Sequence, residues 1–382
     1  MKKKIVVTTG TRSEYGILRP ILSQISQSKK LELFLVVTGT HNSKKFGLTI
    51  NEIKNDGFKI YKKIDMIPQG DSNYSMALTL GDGIKSFANI FKNLKPDINL
   101  ILGDRTEMFA SAIAAYYMNI PNAHIHGGDK TQGGIDEYTR HAITKISNIH
   151  FAASKKSLER ILKMGEYKKN IFHVGSPGID EIKQNKISNL HQLEKKYNFL
   201  DPEKNILLLY HSVTTETENT QKEIRIILNA IKKLKINTIA IAPNSDAGNN
   251  AIFQEYGKFA AKNDFFRVFK SLPRSDYLGF LKYFGALIGN SSSGIIEASY
   301  FQIPVINIGI RQKGREKGRN VIDVENPNSK IIANAISKSL KMKKLSKINE
   351  KLYGPGNSSK KIVEILEKIK LDKKLIQKQI AY

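Results

Sequence analysis

Residues 284–297 read Phe-Gly-Ala-Leu-Ile-Gly-Asn-Ser-Ser-Ser-Gly-Ile-Ile-Glu, and this segment is the most informative one in the chain. Its apolar first half is typical of a buried strand, and its glycines and serines lead into the first turn of a helix. A helix start offers unpaired N–H groups and a partial positive charge, which suit a phosphate. Asn290, Ser291 and Ser292 are therefore candidates for nucleotide binding, and Glu297 is placed to reach a ribose hydroxyl. An ordinary strand–helix turn with a serine cap is the structural alternative.

Short apolar runs alternate with amphipathic, helix-length segments along the whole chain, which indicates βαβ units and parallel sheets. One such segment, Ser154–Gly165, predicts a helix with Ser154 as its N-cap. The pattern breaks near Gly175–Gly178 and then resumes, so we expect two α/β halves with a ligand cleft between the carboxyl ends of their strands. The expected domains are 1–178 and 179–382, with the final helix, about 359–379, as a candidate for packing back on the first. The predicted strands are Ile5–Thr9, Leu31–Thr38, Ile98–Leu102, Ile149–Ala153, Ile171–Val174, Ile206–Tyr210, Thr238–Ala242, Ala286–Ile288 and Val305–Ile308.

The chain has 382 residues, more than one hydrophobic core usually organises, and 40% of them are hydrophobic. It has no cysteine, which excludes disulfides, thiol catalysis and cysteine-based zinc sites. No apolar run approaches the roughly 20 residues of a membrane span, and the basic start Met1–Ile5 leads into a strand without the apolar core of a signal peptide. We therefore expect a cytoplasmic protein without a membrane partner.

A formal net charge of +26 favours anionic partners in general. Most of the excess is lysine, spread in ones to threes over predicted helix surfaces and turns. A nucleic-acid groove would gather these charges on one surface and interleave them with aromatic residues. The composition therefore indicates a solvated, lysine-rich surface and no specific nucleic-acid partner.

Polar segments that contain glycine follow predicted strands of the first half. In Gly10–Gly16, Gly-Thr-Arg-Ser-Glu-Tyr-Gly, the cation of Arg12 is unfavourable to the helix dipole unless an anion lies there. A simple strand–helix connection explains the glycines equally well. Asp104 and Arg105 follow the strand that ends at Leu102. They suit either proton transfer and substrate binding or a salt-bridged helix cap.

The densest group of chemically active residues lies in 124–141, His-Ile-His-Gly-Gly-Asp-Lys-Thr-Gln-Gly-Gly-Ile-Asp-Glu-Tyr-Thr-Arg-His. General acid–base chemistry by Asp129, Asp136 or His126 is the favoured interpretation. A rival is a divalent metal held by His124 and His126, which would share one face of a strand, together with Asp129 or Asp136. Asp136 also opens a predicted helix, where aspartate is an ordinary N-cap.

In the second half, His211 and the segment Pro243–Asp246 each follow a strand, and Ile310–Arg315 follows another. The three cations of Ile310–Arg315, with Glu297 nearby, suit a diphosphate better than a single phosphate. The chain has no Gly-x-x-x-x-Gly-Lys-Ser/Thr loop, no Gly-x-Gly-x-x-Gly after its first strand and no Gly-x-Ser-x-Gly turn. These missing motifs count against a P-loop nucleotidase, a nicotinamide cofactor and the nucleophile turn of an α/β-hydrolase.

Taken together, the motifs resemble the hydrolysing UDP-N-acetylglucosamine 2-epimerases of bacterial sialic-acid pathways. The resemblance implies two Rossmann-like domains in a GT-B-like arrangement, a nucleotide-sugar substrate and a homodimer. It implies no redox cofactor and no catalytic metal. It runs over nearly the whole chain, through Gly10–Gly16, Gly103–Glu107, His124–Lys145, Gly175–Asp180, Gly289–Glu297 and Arg311–Arg315.

The resemblance also implies an anti elimination of UDP from UDP-N-acetylglucosamine to 2-acetamidoglucal, followed by hydration to N-acetylmannosamine. Asp104 and Asp136 match two acidic residues of that chemistry. The third family carboxylate, a glutamate in a His-Ile-Glu-Gly-Gly string, is replaced here by His126, so His126 or Asp129 is the candidate for its role. The positions that match residues holding UDP or the sugar are Arg12, Arg105, His211, Ser291, Ser292, Glu297 and Arg311.

Three rival functions stay open. The motifs mostly concern the nucleotide and carbons 1 and 2 of the sugar, so they do not exclude a nucleotide-linked 2,4-diacetamido-2,4,6-trideoxy sugar as the substrate. A non-hydrolysing epimerase would leave the sugar on UDP. A GT-B glycosyltransferase would share the fold and a contact of Glu297 with ribose.

Overall fold

The computed structural model of the protein describes residues 1–184, 187–342 and 352–382. Within these residues, thirteen strands form two sheets in which all neighbouring strands are parallel. This confirms the expected pair of α/β halves. The strands are β1 (Lys3–Thr9), β2 (Leu31–Val37), β3 (Ile60–Lys63), β4 (Ile98–Leu102), β5 (Asn122–Ile125), β6 (Ile149–Ala152), β7 (Ile171–His173), β8 (Ile206–Leu209), β9 (Thr238–Ile241), β10 (Phe266–Phe269), β11 (Ala286–Gly289), β12 (Val305–Ile308) and β13 (Val321–Val324).

Helices connect the strands and cover the sheets, which is why central strands such as β8 are apolar along their whole length. The predicted helix with Ser154 as its N-cap is confirmed, because the Ser154 side chain accepts a hydrogen bond from the Ser157 N–H. The α-helices of the described residues are α1 (Arg12–Gln27), α2 (Ile50–Asn55), α3 (Asn73–Leu94), α4 (Thr106–Tyr117), α5 (Asp136–Lys145), α6 (Lys155–Lys163), α7 (Pro177–Gln184), α8 (Leu190–Tyr197), α9 (Thr220–Leu234), α10 (Asn249–Ala260), α11 (Arg274–Tyr283), α12 (Ser293–Phe301), α13 (Ser329–Lys341), α14 (Ser358–Lys368) and α15 (Lys373–Ile376).

The first sheet has the order β3-β2-β1-β4-β5-β6-β7. The chain moves outward from β1 to β3, and it then returns to the other side of β1 at β4. Open α/β sheets bind ligands at the carboxyl ends of the strands where the order reverses in this way. The two segments at this position are Gly10–Gly16 after β1 and Gly103–Glu107 after β4.

The second sheet repeats the arrangement with the order β10-β9-β8-β11-β12-β13. Here the order reverses between β8 and β11, which pair along Ala286–Gly289. His211 follows β8, and the turn that leads into α12 follows β11. Each half of the chain therefore places its own predicted motifs at its own switch point.

No bounds were predicted from the sequence for four of these strands. Three of them, β3, β10 and β13, lie at the edges of the sheets. Edge strands are less buried and carry more charge, as in the Ile-Tyr-Lys-Lys text of β3, so their apolar pattern is weak. The fourth, β5, is central, but its buried Asn122 and His124 make it look polar.

Contacts divide the chain into two compact units. The first unit contains Met1–Lys130, Ile135–Gln184 and Leu352–Tyr382. The second contains Thr131–Gly134 and the described residues of Asn185–Lys351. The boundary therefore follows residue 184 and not 178, and the C-terminal segment belongs to the first unit.

Two features attach the C-terminal segment to the first unit. The carboxylate of Asp180 accepts the N–H groups of Ser358 (3.0 Å) and Ser359 (2.6 Å) at the start of α14. This carboxylate satisfies N–H groups that a helix start otherwise leaves unpaired. The apolar side of α14, with Ile362 and Leu366 fully buried, joins the core formed by β1, β2 and α1.

None of the helices in the described part of the chain is both long enough and apolar enough to cross a membrane.

Gly289 is predicted to be essential for the stability of the second unit. Its φ is +141°, and an added Cβ would lie 1.9 Å from the carbonyl oxygen of Leu209 in the paired strand β8. We expect Gly289→Ala to lower the free energy of unfolding by about 3 kcal/mol or more. Gly309→Ala is the matched control, because Gly309 also has a positive φ (+72°) but an added Cβ would meet no described atom within 4 Å. We expect Gly309→Ala to lower the free energy of unfolding by only about 1–2 kcal/mol. Equal losses in urea denaturation would contradict the steric argument.

Candidate active site

In the first unit, the helix start after β1 is occupied by a carboxylate of the protein itself. Oε2 of Glu14 accepts the backbone N–H groups of Gly10 (3.0 Å) and Thr11 (2.9 Å), and the Thr11 hydroxyl accepts the Glu14 N–H. This reciprocal capping box satisfies the N–H groups that a phosphate would otherwise use. The glycine-rich turn after β1 is therefore a self-capped connection.

The two predicted arginines near this turn are also paired within the protein. Nε of Arg12 donates to Glu52 at 2.7 Å, and Nε of Arg105 donates to Glu107 at 3.2 Å. Both side chains remain partly exposed, at 20% for Arg12 and 18% for Arg105. Glu107 itself is buried and packs against Gly10, where an added Cβ would lie 2.9 Å from its carboxyl group. The arginines are therefore held in place while part of each side chain stays accessible.

Glu14 and Glu107 form a buried acidic pair beside Arg105. Burial outweighs the opposing charge of Arg105 and, together with the charge of Glu107, raises the pKa of the Glu14 carboxyl to about 8. Oε1 of Glu14 is buried and makes no hydrogen bond to a described residue. A carboxyl group in such a place is most stable with a proton bound.

Asp104 is held by the buried Arg140, which sequence reasoning did not single out. Nε of Arg140 donates to Asp104 at 2.7 Å, and Nη2 donates to the same carboxylate. Nη1 donates to Glu137 at 3.0 Å and to the carbonyl oxygen of Asp129 at 3.1 Å. Arg140 is 1% exposed, whereas Asp104 and Glu137 are 19% and 20% exposed. One hidden cation therefore fixes two carboxylates that solvent or substrate can reach.

The electrostatics of this group favour charged side chains. Burial alone would lower the pKa of Arg140, but the charges of Asp104, Asp129 and Asp136 outweigh it and raise the pKa. The sequence signal for Arg140 was its spacing, three residues after Glu137 on one helix face. Asp136 is the first residue of α5, and Ile135 is the N-cap, so the structure does not bear out the ordinary N-cap alternative for Asp136.

His126 and Asp129 lie together after β5. Nδ1 of His126 is 3.0 Å from Oδ2 of Asp129, and Nε2 is 3.0 Å from the hydroxyl of Ser176. Oδ1 of Asp129 accepts the Ser157 hydroxyl at 2.7 Å. All four side chains are buried. The structure thus brings the two predicted residues together and adds two serines, far away in sequence, that the sequence analysis missed.

His124 has a different environment from His126, which corrects the expectation that both share a strand face. β5 ends at Ile125, and His126 has a φ of +65°, which turns the chain out of the strand. Nε2 of His124 donates to the carbonyl oxygen of Gly103 at 2.7 Å, and burial lowers its pKa to about 3. His124 is a neutral, structural residue. Among the residues that the structure describes, no three His, Asp or Glu side chains are arranged to hold a metal ion.

In the second unit, the structure brings His211, Asn290 and Arg311 together. The Asn290 side chain accepts the His211 N–H and donates to the His211 carbonyl oxygen, both at 2.8 Å. The Asn290 carbonyl oxygen accepts Nη1 of Arg311 at 3.3 Å. Nδ1 of His211 accepts the Asn244 N–H at 3.2 Å, so a neutral ring carries its proton on Nε2. Asn290 is thus the residue that ties the end of β8 to the end of β11.

The start of α12 differs from the start of α1. Ser292 is the N-cap residue, but its side chain makes no capping hydrogen bond with any described residue. The hydroxyl of Ser291, the preceding residue, accepts the Ser293 N–H at 3.4 Å, so the serine-cap alternative for this turn holds for Ser291 and not for Ser292. Ser291 and Ser292 are partly exposed, and Gly289 keeps the backbone close to β8. The described part of the chain supplies hydroxyls here and places no carboxylate on the capping N–H groups.

Glu297 is buried one turn into α12 and is paired within the protein. Both terminal nitrogens of Arg274 donate to its carboxylate, and so does the hydroxyl of Ser293. Sequence reasoning missed Arg274, although it stands in the first turn of α11. The signal that marked Arg12, a cation at a helix start, applies equally to Arg274.

The two sets of residues suit different chemistry. The first unit offers Asp104, Asp136 and Glu137 beside a fixed cation, together with a His–Asp pair, which suits proton transfer. The second unit offers hydroxyls at a helix start, Arg311 and a carboxylate–arginine pair, which suits a phosphorylated nucleoside.

Two Rossmann-like parallel-sheet units with polar residues at their switch points define a GT-B-like fold. The same fold is found in the crystal structure of UDP-GlcNAc 2-epimerase from Neisseria meningitidis bound to UDP-GlcNAc. The TM-score is 0.80 at 19% sequence identity, and the match covers 96% of this chain and 100% of that one.

Sequence comparison gives the family. The family model described as UDP-N-acetylglucosamine 2-epimerase matches residues 23–367, and the chain belongs to this family. It is 38% identical over 383 residues, the full length of both chains, to a UDP-N,N'-diacetylbacillosamine 2-epimerase (hydrolyzing) of Legionella pneumophila. It is 39% identical over 325 residues to the polysialic acid biosynthesis protein P7 of Escherichia coli, which covers 84% of this chain and 82% of that one.

Glu14 should make the stability of the protein depend on pH. Its folded pKa of about 8 lies above the ordinary value of 4.5, so its stabilising contribution is complete below pH 4.5 and is lost as the pH rises through 8. In Glu14→Gln, the side-chain carbonyl still accepts the two N–H groups and no longer ionises. We expect the melting temperature of this variant, relative to wild type, to rise steadily between about pH 5 and pH 8.5. Glu159→Gln, at an exposed position on α6, is the control and should show no such trend. A constant difference for Glu14→Gln would contradict the shifted pKa.

Proposed function

We propose that the protein is a hydrolysing 2-epimerase of a UDP-linked 2-acetamido sugar. The observation that carries the proposal is the buried Arg140, which fixes Asp104 and Glu137 beside Asp136 in a member of this family. Removal of a proton from carbon 2 of a sugar needs an ionised base, and a fixed cation favours the ionised form of nearby carboxyls.

In the proposed reaction, a base removes the proton on carbon 2 while the bond between carbon 1 and the diphosphate oxygen breaks. UDP leaves, and a 2-acetamidoglycal with a double bond between carbons 1 and 2 remains. The hydroxyl group of a water molecule then adds to carbon 1, and a proton adds to carbon 2 on the opposite face. The products are UDP and the free 2-epimer, so that one water is consumed and no electrons are exchanged.

We assign the proton transfers to the first unit. Asp104 and Asp136 are the proposed carboxylates, with Asp104 held ionised by Arg140. His126 is the proposed third group in place of the family glutamate, and Asp129 orients its ring. Arg105 is proposed to bind the substrate through the part of its side chain that Glu107 leaves accessible. Its neighbour Arg12 is proposed for the same task.

We assign nucleotide binding to the second unit. The N–H groups and the hydroxyls of Ser291 and Ser292 at the start of α12 suit the diphosphate, because no carboxylate of a described residue caps them and the bond from the Ser293 N–H to the Ser291 hydroxyl is long, at 3.4 Å. Arg311 would add a positive charge that stabilises UDP as a leaving group. Glu297 is proposed to accept a ribose hydroxyl, in which case Arg274 fixes the carboxylate for that contact. His211 and Asn290 complete this set.

For the sugar, we propose UDP-N,N'-diacetylbacillosamine, a 2,4-diacetamido-2,4,6-trideoxyglucose, as the first candidate substrate. It is favoured by the 38% identity to the Legionella pneumophila enzyme over the full length of both chains. UDP-N-acetylglucosamine is the second candidate. It is favoured by the 39% identity to a protein of polysialic acid biosynthesis. A cytoplasmic location and a homodimer remain expectations from the sequence.

Turnover in deuterium oxide tests the reaction. We expect UDP and a free sugar as products, with the sugar carrying solvent deuterium at carbon 2, because the proton returns from solvent-exchangeable groups. NMR of the product identifies the sugar, and parallel reactions with the two UDP-sugars decide between the substrates. Sugar that stays attached to UDP would support a non-hydrolysing epimerase. Transfer to an acceptor without deuterium would support a glycosyltransferase.

Variants of the two units should fail in different ways. Asp104→Asn and Asp136→Asn should lower kcat by about 10²-fold or more while UDP binds with nearly unchanged affinity, because only the proton transfers are affected. Arg311→Ala should instead weaken UDP binding about tenfold or more. The control Arg225→Ala removes an exposed arginine that is paired with Glu255, and it should change neither quantity. Calorimetric titration with UDP and steady-state kinetics separate these outcomes. A rate like that of wild type in Asp104→Asn would remove the central assignment.

A further inference from the structure

We propose that Ser176 is a positioning residue of this reaction and that, together with Asp129, it fixes the tautomer and the orientation of His126. The inference rests on the proposed function, in which His126 transfers a proton. Ser176 lies 50 positions away in sequence, in the turn between β7 and α7, and sequence reasoning assigned it no role.

The backbone directs the His126 ring into this network. His126 has a φ of +65°, a left-handed conformation that is uncommon for residues other than glycine, and its N–H donates to the carbonyl oxygen of Phe151 at 3.1 Å. Such a conformation is strained, and it persists only where surrounding contacts impose it. Here the contacts are those of the ring with Asp129 and Ser176.

The hydrogen-bond partners determine where the ring proton lies. A carboxylate only accepts hydrogen bonds, so Nδ1 of His126 donates to Oδ2 of Asp129. In the neutral ring, Nε2 is then the acceptor and receives the Ser176 hydroxyl. The Ser176 oxygen also accepts the Gly178 N–H at 3.3 Å, which leaves its own proton for His126. The geometry thus assigns the Nδ1–H tautomer with Nε2 as the basic atom.

Neighbouring groups hold Asp129 in the orientation that this tautomer needs. The Ser157 hydroxyl donates to the second carboxylate oxygen at 2.7 Å. Two guanidinium groups, those of Arg140 and Arg160, donate to the backbone carbonyl oxygens of Asp129 and Gly128. Arg140 also links this loop to Asp104.

A hydroxyl partner suits a histidine that changes its charge. Ser176 donates to Nε2 while the ring is neutral, and after rotation its oxygen can accept an Nε2–H when the ring is protonated. A carbonyl group or an ammonium group could serve only one of these states. Because Ser176 is 0% exposed, water cannot easily replace the lost partner if the hydroxyl is removed.

The test measures the ring directly, by ¹⁵N NMR of histidine-labelled protein, with His126→Gln used to assign the His126 signals. We expect the Nδ1–H tautomer in wild type. In Ser176→Ala, the Nε2 signal should move in the direction of a lost hydrogen bond, kcat should fall about tenfold, and KM should stay within about twofold. Ser176→Thr keeps the hydroxyl and should restore the signal and most of the rate.

Asp129→Asn is a second test, in which the His126 ring should adopt the opposite tautomer. The Ser157 hydroxyl keeps the amide oxygen on its own side, so the amide N–H₂ group faces Nδ1 and reverses the tautomer to Nε2–H. We expect kcat to fall by about 10²-fold or more in this variant.

Ser176 also accepts a backbone N–H at the start of α7, so Ser176→Ala removes a helix cap as well as the partner of His126. A separate control variant isolates the effect of losing a cap. Ser72→Ala removes the N-cap serine of α3, an exposed position, and should lower stability without moving the His126 signals or kcat. An unchanged His126 spectrum and rate in Ser176→Ala would overturn the proposal. Lack of 2-epimerase activity in wild type would instead remove the proposed function, and the tautomer measurement would still report on Ser176 and Asp129.

Discussion

The burial of one guanidinium group, that of Arg140, constrains the unit to which the proton transfers are proposed to belong. An arginine that is 1% exposed must have its charge balanced, because removal of one partner from a buried ion pair costs about 3–5 kcal/mol. Its partners come from three places in the chain: Asp104 after β4, Glu137 on α5 and the Asp129 carbonyl oxygen after β5. The loops that carry the proposed proton-transfer residues are therefore held by the same cation. Asp129 connects this cation to His126, because its backbone carbonyl oxygen accepts a hydrogen bond from Arg140 and its carboxylate accepts one from the His126 ring.

The two Rossmann-like units use similar turns for different purposes. In the first unit, Glu14 places its carboxylate on the N–H groups at the start of α1, so this helix start is occupied by the protein. In the second unit, the capping position at the start of α12 carries Ser292, whose hydroxyl makes no such bond to a described residue. This difference supports the proposal that a phosphate binds at the start of α12 and not at the start of α1. The difference rests on the residue three positions after the N-cap. At α1 this residue is Glu14, whose carboxyl group occupies the helix start. At α12 it is the apolar Ile295, which cannot do so.

Local sequence patterns predicted much of the secondary structure and the division into two sheets. The alternation of apolar runs and helices correctly indicated two parallel sheets, and Ser154 was correctly identified as a helix cap. The edge strands were missed because they are less buried and more charged, as β3 is with Lys62 and Lys63. The return of the C-terminal segment to the first unit, which the sequence offered only as a candidate, depends on a contact between Asp180 and Ser358, which are 178 positions apart.

Local patterns in the sequence were enough to predict the two α/β halves, the family to which the motifs point and the position of those motifs at the carboxyl ends of strands. They were enough because periodicity, glycine turns and helix caps are properties of neighbouring residues. The folded chain was needed to show which helix start is occupied, which arginines balance Asp104 and Glu297, and how His126 is oriented. These outcomes depend on burial and on pairs such as His126 with Ser176. The energy of a charge or a hydrogen bond is set by what surrounds it in space, and no local pattern contains that information.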